Sequence, residues 1–428
     1  MYKSKSLSNG ITVVTEKIPH FRSVSFGLWF KTGSMFESEE TSGISHFIEH
    51  MLFKGTYKRS AKQIADVMDG IGGQLNAFTA KEYTCYYFKV LDEHLETGIE
   101  LLADMLLNSS FEPAEIEKEK GVILEEILMY EDSPEDVAYD LLSYAMFRDH
   151  PLSKPILGDR HTLLSFDRSK TQSFFQKYYS PNQVIISVAG NFDDRQLEEL
   201  IQEYFGNWKP FQAHCKSIPE ISYCGDVLFR QKDIEQTHIC IGYPSTQLSD
   251  ERIYSDMAFN NIFGGSMSSR LFQKIREDKG LVYSVISHPS NYTIGGYYTI
   301  YAGMKPSNAQ EVLSIISDEI RNVLHDGITT DELIKAKEQL KGNYILGLES
   351  TGSRMNAMGK SKLLLGEITT PEEVLDKINK ITMDDALFSM NMIFSQGIAG
   401  ISLIGKDDIS DQVAEIINAR PLIAVNNG

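Results

Sequence analysis

His46 and His50 stand four residues apart in the run His46-Phe47-Ile48-Glu49-His50, with Glu49 between them. On a helix, residues four apart lie one turn above another on the same face, so both imidazoles can converge on one metal ion. Glu49 follows His46 by three residues and then sits beside that ion. The order of residues is the inverse of the commoner zinc-protease pattern. Two histidines and a glutamate form a known zinc ligand set that leaves a fourth position open to water. A water held there ionises near neutral pH, and the metal polarises the carbonyl under attack. Glu49 is placed to accept the proton and hand it to the leaving amine. The chemistry expected is peptide-bond hydrolysis without a covalent intermediate. The plain alternative is a pair of histidines on an amphipathic helix, because a pattern of three fixed residues also arises by chance.

A third ligand is required. Glu112-Pro113 opens a helix expected to run to about Tyr130, with Pro113 at an early position where its missing N–H is harmless. Glu119 and Glu126 are two turns apart on one face. Val122 lies between them on the stripe, and Ile123 and Ile127 flank it. A carboxylate bordered by apolar residues is buried only when it is paired or bound to metal. Glu125 points further round. Spacing favours Glu126 as the ligand and Glu119 as its support without choosing between them, and a solvated acidic helix face is the competing reading.

Several elements must position these groups. Asn9-Gly10 between alternating residues 3–7 and 11–15 predicts a hairpin. Val24 to Phe30 reads as a strand. Ser42-Gly43 precedes the histidine helix, and Lys54-Gly55-Thr56 ends it, with Gly55 at its C-terminus. Ser60 caps a helix over 61–70. Gly72-Gly73 breaks the chain before Gln74–Thr79, and Tyr83–Leu91 reads as a strand. Helices follow over about 92–109, 166–179 and 193–205, with the strand Val184–Ala189 among them.

The 428 residues are too many for one core. Apolar content of 42% with 23% charged residues is that of a soluble globular chain. No apolar run reaches membrane-spanning length, and the start of the chain is not a signal segment, so no membrane partner is expected. The formal charge of −18 argues against nucleic-acid binding. Cys85, Cys215, Cys224 and Cys240 lack metal-like spacing and read as thiols of a reducing, cytoplasmic compartment.

Trp208-Lys209-Pro210 to about Glu220 reads as a linker, and beyond it the pattern restarts. Val184–Gly190 is echoed by Ala399–Gly405, an offset of about 215 residues. Glu115-Ile116-Glu117-Lys118 is echoed by Glu332-Leu333-Ile334-Lys335, and Ser23–Phe30 by Thr237–Tyr243. The candidate ligands do not repeat: His46, Glu49 and His50 fall on Asp256, Phe259 and Asn260, and Glu126 falls near Asn343. The expected organisation is α+β. Residues 1–209 form a catalytic half and 210–221 a linker. Residues 222–428 form a second half without a metal site, which closes a clam-shell. Gly264-Gly265-Ser266 lacks the Gly-Lys-Ser and the spacing of a phosphate loop and reads as a flexible loop before a helix.

With these blocks in view, the chain resembles, over nearly its whole length, the inverted-motif zinc peptidases. That family includes pitrilysin, insulin-degrading enzyme and the mitochondrial processing peptidase, and the chain is most similar to its short bacterial members. The resemblance implies His46, His50 and Glu126 as ligands of one zinc per chain, with cobalt or manganese able to take the same ligands. It implies Glu49 as the base and Glu119 as the supporting carboxylate. Asn76, Ala77 and Phe78 would lie on an edge strand that pairs with an extended peptide substrate. Arg276 and Tyr283 would come from the second half to bind substrate and stabilise the tetrahedral intermediate. Each half would be an antiparallel or mixed sheet faced by helices, and the assembly a homodimer. Two alternatives stay beside the zinc endopeptidase: a non-catalytic structural subunit of the same fold, and a metal-dependent hydrolase of small amides.

Overall fold

The computed structural model describes residues 2–210 and 218–419. The first hairpin follows from its turn: β1 (Tyr2–Ser6) pairs antiparallel with β2 (Thr12–Lys17) across Gly10, whose φ is +97°. Only glycine adopts that conformation without steric cost. The chain continues through β3 (Ser23–Phe30), α1 (Ile44–Leu52), α2 (Ala61–Gly70), β4 (Gln74–Thr79), β5 (Thr84–Leu91), α3 (Leu95–Leu107) and α4 (Pro113–Glu131). Then come α5 (Pro134–Phe147), α6 (Arg160–Leu164), α7 (Arg168–Tyr178), β6 (Val184–Gly190) and α8 (Asp194–Phe205). Beyond the undescribed residues follow β7 (Val227–Gln231), β8 (Thr237–Ser245), α9 (Ile253–Phe263), β9 (Val282–Tyr292), β10 (Gly295–Met304), α10 (Ala309–Asp326) and α11 (Thr330–Gly347). The last elements are α12 (Thr351–Leu365), α13 (Pro371–Lys380), α14 (Met383–Ser395), β11 (Gly400–Gly405) and α15 (Ser410–Ala419).

Two mixed sheets result, and they repeat one topology. The first has the order β1-β2-β6-β3-β5-β4, and the second β7-β11-β8-β10-β9. In each, one pair is parallel, β2 with β6 and β7 with β11, and the remaining neighbours run antiparallel. The echoed strands Val184–Gly190 and Gly400–Gly405 occupy the same place in the two sheets. Both are buried along nearly their whole length, which is why each is apolar on both faces apart from one buried serine, Ser187 in the first and Ser402 in the second. The fold is therefore α+β with two homologous halves, each a mixed sheet faced by helices.

The compact units do not follow the halves of the sequence. One comprises 1–128, 154–218 and 345–370, and the other 129–153, 219–344 and 371–428. Each unit thus takes one helix from the other half of the chain. In the first, α12 lies on β3 and β6, with Met355 and Met358 against Trp29. The approach needs glycine, since a Cβ on Gly359 would stand 2.1 Å from Trp29 Nε1 and one on Gly27 2.4 Å from Met355 Sδ. In the second, α5 lies on β11 and β8, and Ser402 Oγ donates to Ala138 O at 2.6 Å. The 210–221 linker falls partly on residues outside the described ones, as does Cys215. Of the other cysteines, Cys85 and Cys240 are buried, Cys224 is exposed, and all are free. Among the described residues no helix is long and apolar enough to cross a membrane.

The core of the first unit gathers Phe26, Leu28, Phe47, Ile48, Ile99, Leu102, Ile123 and Ile186 between the sheet and its helices. This packing creates α1. A nine-residue helix is marginal alone in water. Ile44, Phe47, Ile48, Met51 and Leu52 are all buried, and each contributes about 1.5–3 kcal/mol. Together they outweigh the cost of nucleating so short an element.

Candidate metal centre

α1 is fixed at both ends. It starts at Gly43, whose φ is +87° and where a Cβ would lie 2.5 Å from Leu157 O. The fully buried Glu37 reaches back to it: Oε2 accepts from Gly43 N at 2.7 Å and Oε1 from Ser45 N at 2.8 Å. Two N–H groups that the helix leaves unpaired are thereby satisfied. Burial pushes the Glu37 carboxyl up to about 7, against the pull of those two hydrogen bonds and the Lys154 charge. At the other end the helix stops at Leu52, short of the Gly55 terminus expected from sequence. Gly55, at φ +128°, instead forms a bridge with Ser60. The loop between is pinned to α3, where Asp104 accepts from Thr56 Oγ1 at 2.9 Å and from Arg59 Nη1 at 2.7 Å.

On this frame His46 and His50 project side by side, with ring centroids 4.5 Å apart. α4 packs alongside through buried Ile116 and Ile123 and brings Glu126 opposite them. His46 Nε2 lies 3.7 Å and His50 Nε2 3.5 Å from the same atom, Glu126 Oε2. One ligand atom from each of the three residues lies within 4.8 Å of the others, the only such group of three or more His, Cys, Asp or Glu among the described residues. Two atoms each bound to zinc at tetrahedral geometry stand about 3.4 Å apart, given bond lengths near 2.0–2.1 Å. The observed separations are close to that figure, so the donor set fits a zinc ion in both chemistry and size. Burial, followed by the neighbouring His50, pushes His46 down to about 3, so its imidazole is neutral near pH 7 and offers a lone pair.

Glu119, two turns before Glu126, is buried and lies on the far side of His50. Its Oε1 is 2.7 Å from His50 Nδ1, and its Oε2 is 2.7 Å from Lys54 Nζ. Burial raises its carboxyl, but the hydrogen bonds from His50 and Lys54 and the Lys54 charge together bring it below the usual range. As an anion it accepts Nδ1–H and leaves the Nε2 lone pair of His50 directed toward Glu126. Glu125 is exposed on the other side of α4. Val122, expected on the buried stripe, is half exposed, and Ile123 fills that place instead.

Glu49 Oε2 accepts from Thr79 Oγ1 at 2.6 Å. Burial raises its carboxyl, with the Thr79 hydrogen bond working against the rise. Thr79 ends β4, which pairs with β5 on one side only and leaves its other edge unpaired among the described residues. Asn76, Ala77 and Phe78 lie on that strand. Asn76 is exposed, while the Phe78 ring packs at 5.8 Å from Trp29 and 6.1 Å from Tyr83.

Arg276 and Tyr283 belong to the second unit. Phe272–Glu277 is a π-helical turn, a geometry frequent at functional sites. Lys274 pairs with buried Glu319, and Arg270 makes a two-pronged bond to Glu332 at 2.7 and 2.8 Å. The Arg276 guanidinium then sits 4.8 Å from the Phe272 ring and 5.9 Å from the Tyr283 ring, and Tyr283 is 77% exposed. α9 carries Asp256, Phe259 and Asn260. There Asp256 accepts from Thr246 Oγ1 and Asn260 Oδ1 from Ser287 Oγ.

Glu37, Lys54 and Thr79 were not singled out in the sequence. Glu37 meets Gly43 and Ser45 six and eight positions on, Lys54 meets Glu119 65 positions on, and Thr79 meets Glu49 30 positions back, none of them on one regular element. Only a polar residue ending an edge strand, at Thr79, gave a signal.

Residues 12–160 match the family described as "Insulinase (Peptidase family M16)", and residues 165–340 match "Peptidase M16 inactive domain". The chain is 44% identical over 399 residues to the "Uncharacterized zinc protease YmxG" of Bacillus subtilis, covering 93% of this chain and 97% of that one. It is 39% identical over 412 residues to an "Uncharacterized zinc protease" of Rickettsia felis, covering 95% and 98%. Among solved structures, a "peptidase M16 inactive domain" from Pseudomonas fluorescens superposes with a TM-score of 0.89 at 19% identity, over 95% of this chain and 98% of that one. A protease from Helicobacter pylori gives 0.86 at 21% identity, over 95% and 99%. At those identities the two structures speak for the fold alone.

Proposed function

Because this chain belongs to peptidase family M16, whose curated relatives are named zinc proteases, we propose that it is a zinc-dependent endopeptidase acting on peptides or short unfolded segments. The observation that carries the reading is the convergence of His46, His50 and Glu126 at ligand spacing. Those three residues would hold one zinc. When bound, zinc supplies Lewis-acid chemistry, acidifying a water and polarising the scissile carbonyl. Everything else is done by the chain. Glu119 keeps His50 in the tautomer whose Nε2 is free. Glu49, whose carboxyl burial raises above its usual range, takes a proton from the attacking water and returns one to the leaving amine. The free edge of β4 holds the peptide extended through main-chain hydrogen bonds, which makes recognition tolerant of sequence. Arg276 and Tyr283 bind substrate, and the Tyr283 hydroxyl donates to the developing oxyanion. Their role rests on the sequence resemblance and is supported by the exposure of Tyr283 beside the Arg276 guanidinium. A cytoplasmic, homodimeric enzyme completes the proposal.

The test is direct. Purified protein should carry about one zinc per chain and cleave an unstructured peptide, with chelator abolishing cleavage and zinc restoring it. A zinc-loaded chain that leaves such peptides intact would overturn the peptidase reading in favour of a structural role.

A further inference from the structure

We infer that Thr79 is a positioning residue for Glu49, and that β4 thereby serves as both the substrate-pairing strand and the holder of the base. The inference rests on the peptidase reading above. Its starting point is how little else holds Glu49. Thr79 Oγ1 donates to Glu49 Oε2 at 2.6 Å, and Oε1 has no hydrogen-bond partner among the described residues. A carboxylate anchored by one oxygen presents the other in a set direction, which a base needs in order to meet its water.

Thr79 is itself held. Its backbone is the last rung of the β4–β5 pairing, opposite Thr84. The Thr84 hydroxyl, buried, donates to Thr32 O at 2.9 Å and stands 3.5 Å from Thr79 Oγ1. Behind the pair, Tyr86 and Tyr179 are buried with their hydroxyls 3.4 Å apart. Thr79 is therefore tied to packed structure on one side and to the base on the other. It also ends the strand whose residues Asn76, Ala77 and Phe78 would carry the peptide, so a peptide added to that edge acts on the same strand that aims the carboxylate.

The second unit repeats the arrangement without the chemistry. Ser287 on β9, the edge strand in the place of β4, donates to Asn260 Oδ1 on α9 at 2.8 Å and receives a hydrogen bond from the Tyr298 hydroxyl at 2.6 Å. In both units a hydroxyl from the edge strand fastens the helix that packs behind it. Only in the first is the acceptor a carboxylate. A device of the fold is there turned to orienting a catalytic group.

The test compares Thr79→Val, which keeps the shape and loses the hydroxyl, with Thr79→Ser, which keeps the hydroxyl. Both are assayed as zinc-loaded full-length protein. The expected result is that Thr79→Val retains its zinc and its KM but loses at least about tenfold in kcat, and that Thr79→Ser stays within about threefold of the parent. A Thr79→Val kcat within twofold of the parent overturns the inference. So does a rise in KM at unchanged kcat, which would make Thr79 a strand residue only, or equal losses in both variants. A second readout needs no turnover: in crystal structures of parent and Thr79→Val, the Glu49 carboxylate should lose its single orientation in the variant. Should the parent itself fail to cleave peptides, the peptidase reading falls, while an unchanged Glu49 in the variant crystal would separately overturn the positioning role.

Discussion

His50 Nδ1 lies 2.7 Å from Glu119 Oε1, and the other oxygen of that carboxylate lies 2.7 Å from Lys54 Nζ. The pairing separates the two glutamates of α4 that spacing alone could not. Glu119 addresses Nδ1 of His50, whereas Glu126 faces the Nε2 atoms of both histidines. Glu126→Gln should therefore abolish stable zinc binding. Glu119→Gln should keep the site but weaken it about 10–100-fold, the cost usual for losing a ligand's outer partner. Competition with a chelator of known affinity measures both. Equal loss in the two variants would put Glu119 and Glu126 on the same footing and sink the distinction.

Glu49 separates binding from chemistry. It lies outside the converging trio, so Glu49→Gln should leave zinc content and thermal midpoint close to the parent. Cleavage should fall by about 10²–10⁴-fold, the range for a general base. Retained cleavage would assign the proton transfer to another group, and lost zinc would make Glu49 part of the metal site.

Much of this centre could be read from residue order, because its parts are local. His46, Glu49 and His50 share one short helix, and their relation is fixed by its period. Asn9-Gly10 and Ser60 announced a turn and a cap for the same reason, and Ser60 does accept from Gln63 N at the start of α2. Non-local relations were not legible. Thr79 meets Glu49 because β4 lies where sheet order puts it, and Glu37 meets Gly43 through a loop with no period. Likewise α5 and α12 exchange between units, and nothing in their sequences names the sheet they cover. In α12 the deciding feature is the absence of a side chain at Gly359, which lets Trp29 come close. The echoed strands foretold the repeated sheets, since a run with apolar residues on both faces suits a strand buried on both sides.

Tyr283 is exposed and stands on the edge strand β9. Its phenol is poorly explained by packing, so Tyr283→Phe should leave the fold unchanged. If the hydroxyl donates to an oxyanion, the variant should lose about 10²-fold in kcat with a small change in KM, as for the loss of one such donor. Steady-state kinetics on a fluorogenic peptide decide it. An unchanged kcat would remove Tyr283 from the chemistry, and a raised KM alone would leave it a binding residue.

Glu37 gives the stability of the metal-bearing helix a pH dependence of defined sign. Burial raises its carboxyl from 4.5 to about 7 in the folded chain. Below about 4.5 the group is protonated whether folded or not and contributes nothing to pH dependence. As pH rises from there to about 7, the unfolded chain gives up the proton while the folded chain keeps it, so the unfolded state is favoured. Above about 7 both are ionised and the loss is complete, at about 3 kcal/mol by linkage. Glu37→Gln cannot titrate and should not show this loss. Its amide also points a donor at the N–H of Gly43 or Ser45, which costs about 1–3 kcal/mol at any pH. Urea midpoints of parent and variant, compared at pH 5 and pH 8, test the sign. The parent's advantage should be larger at pH 5 than at pH 8. An advantage that grows with pH would mean the two backbone hydrogen bonds outweigh burial and hold Glu37 as an anion throughout.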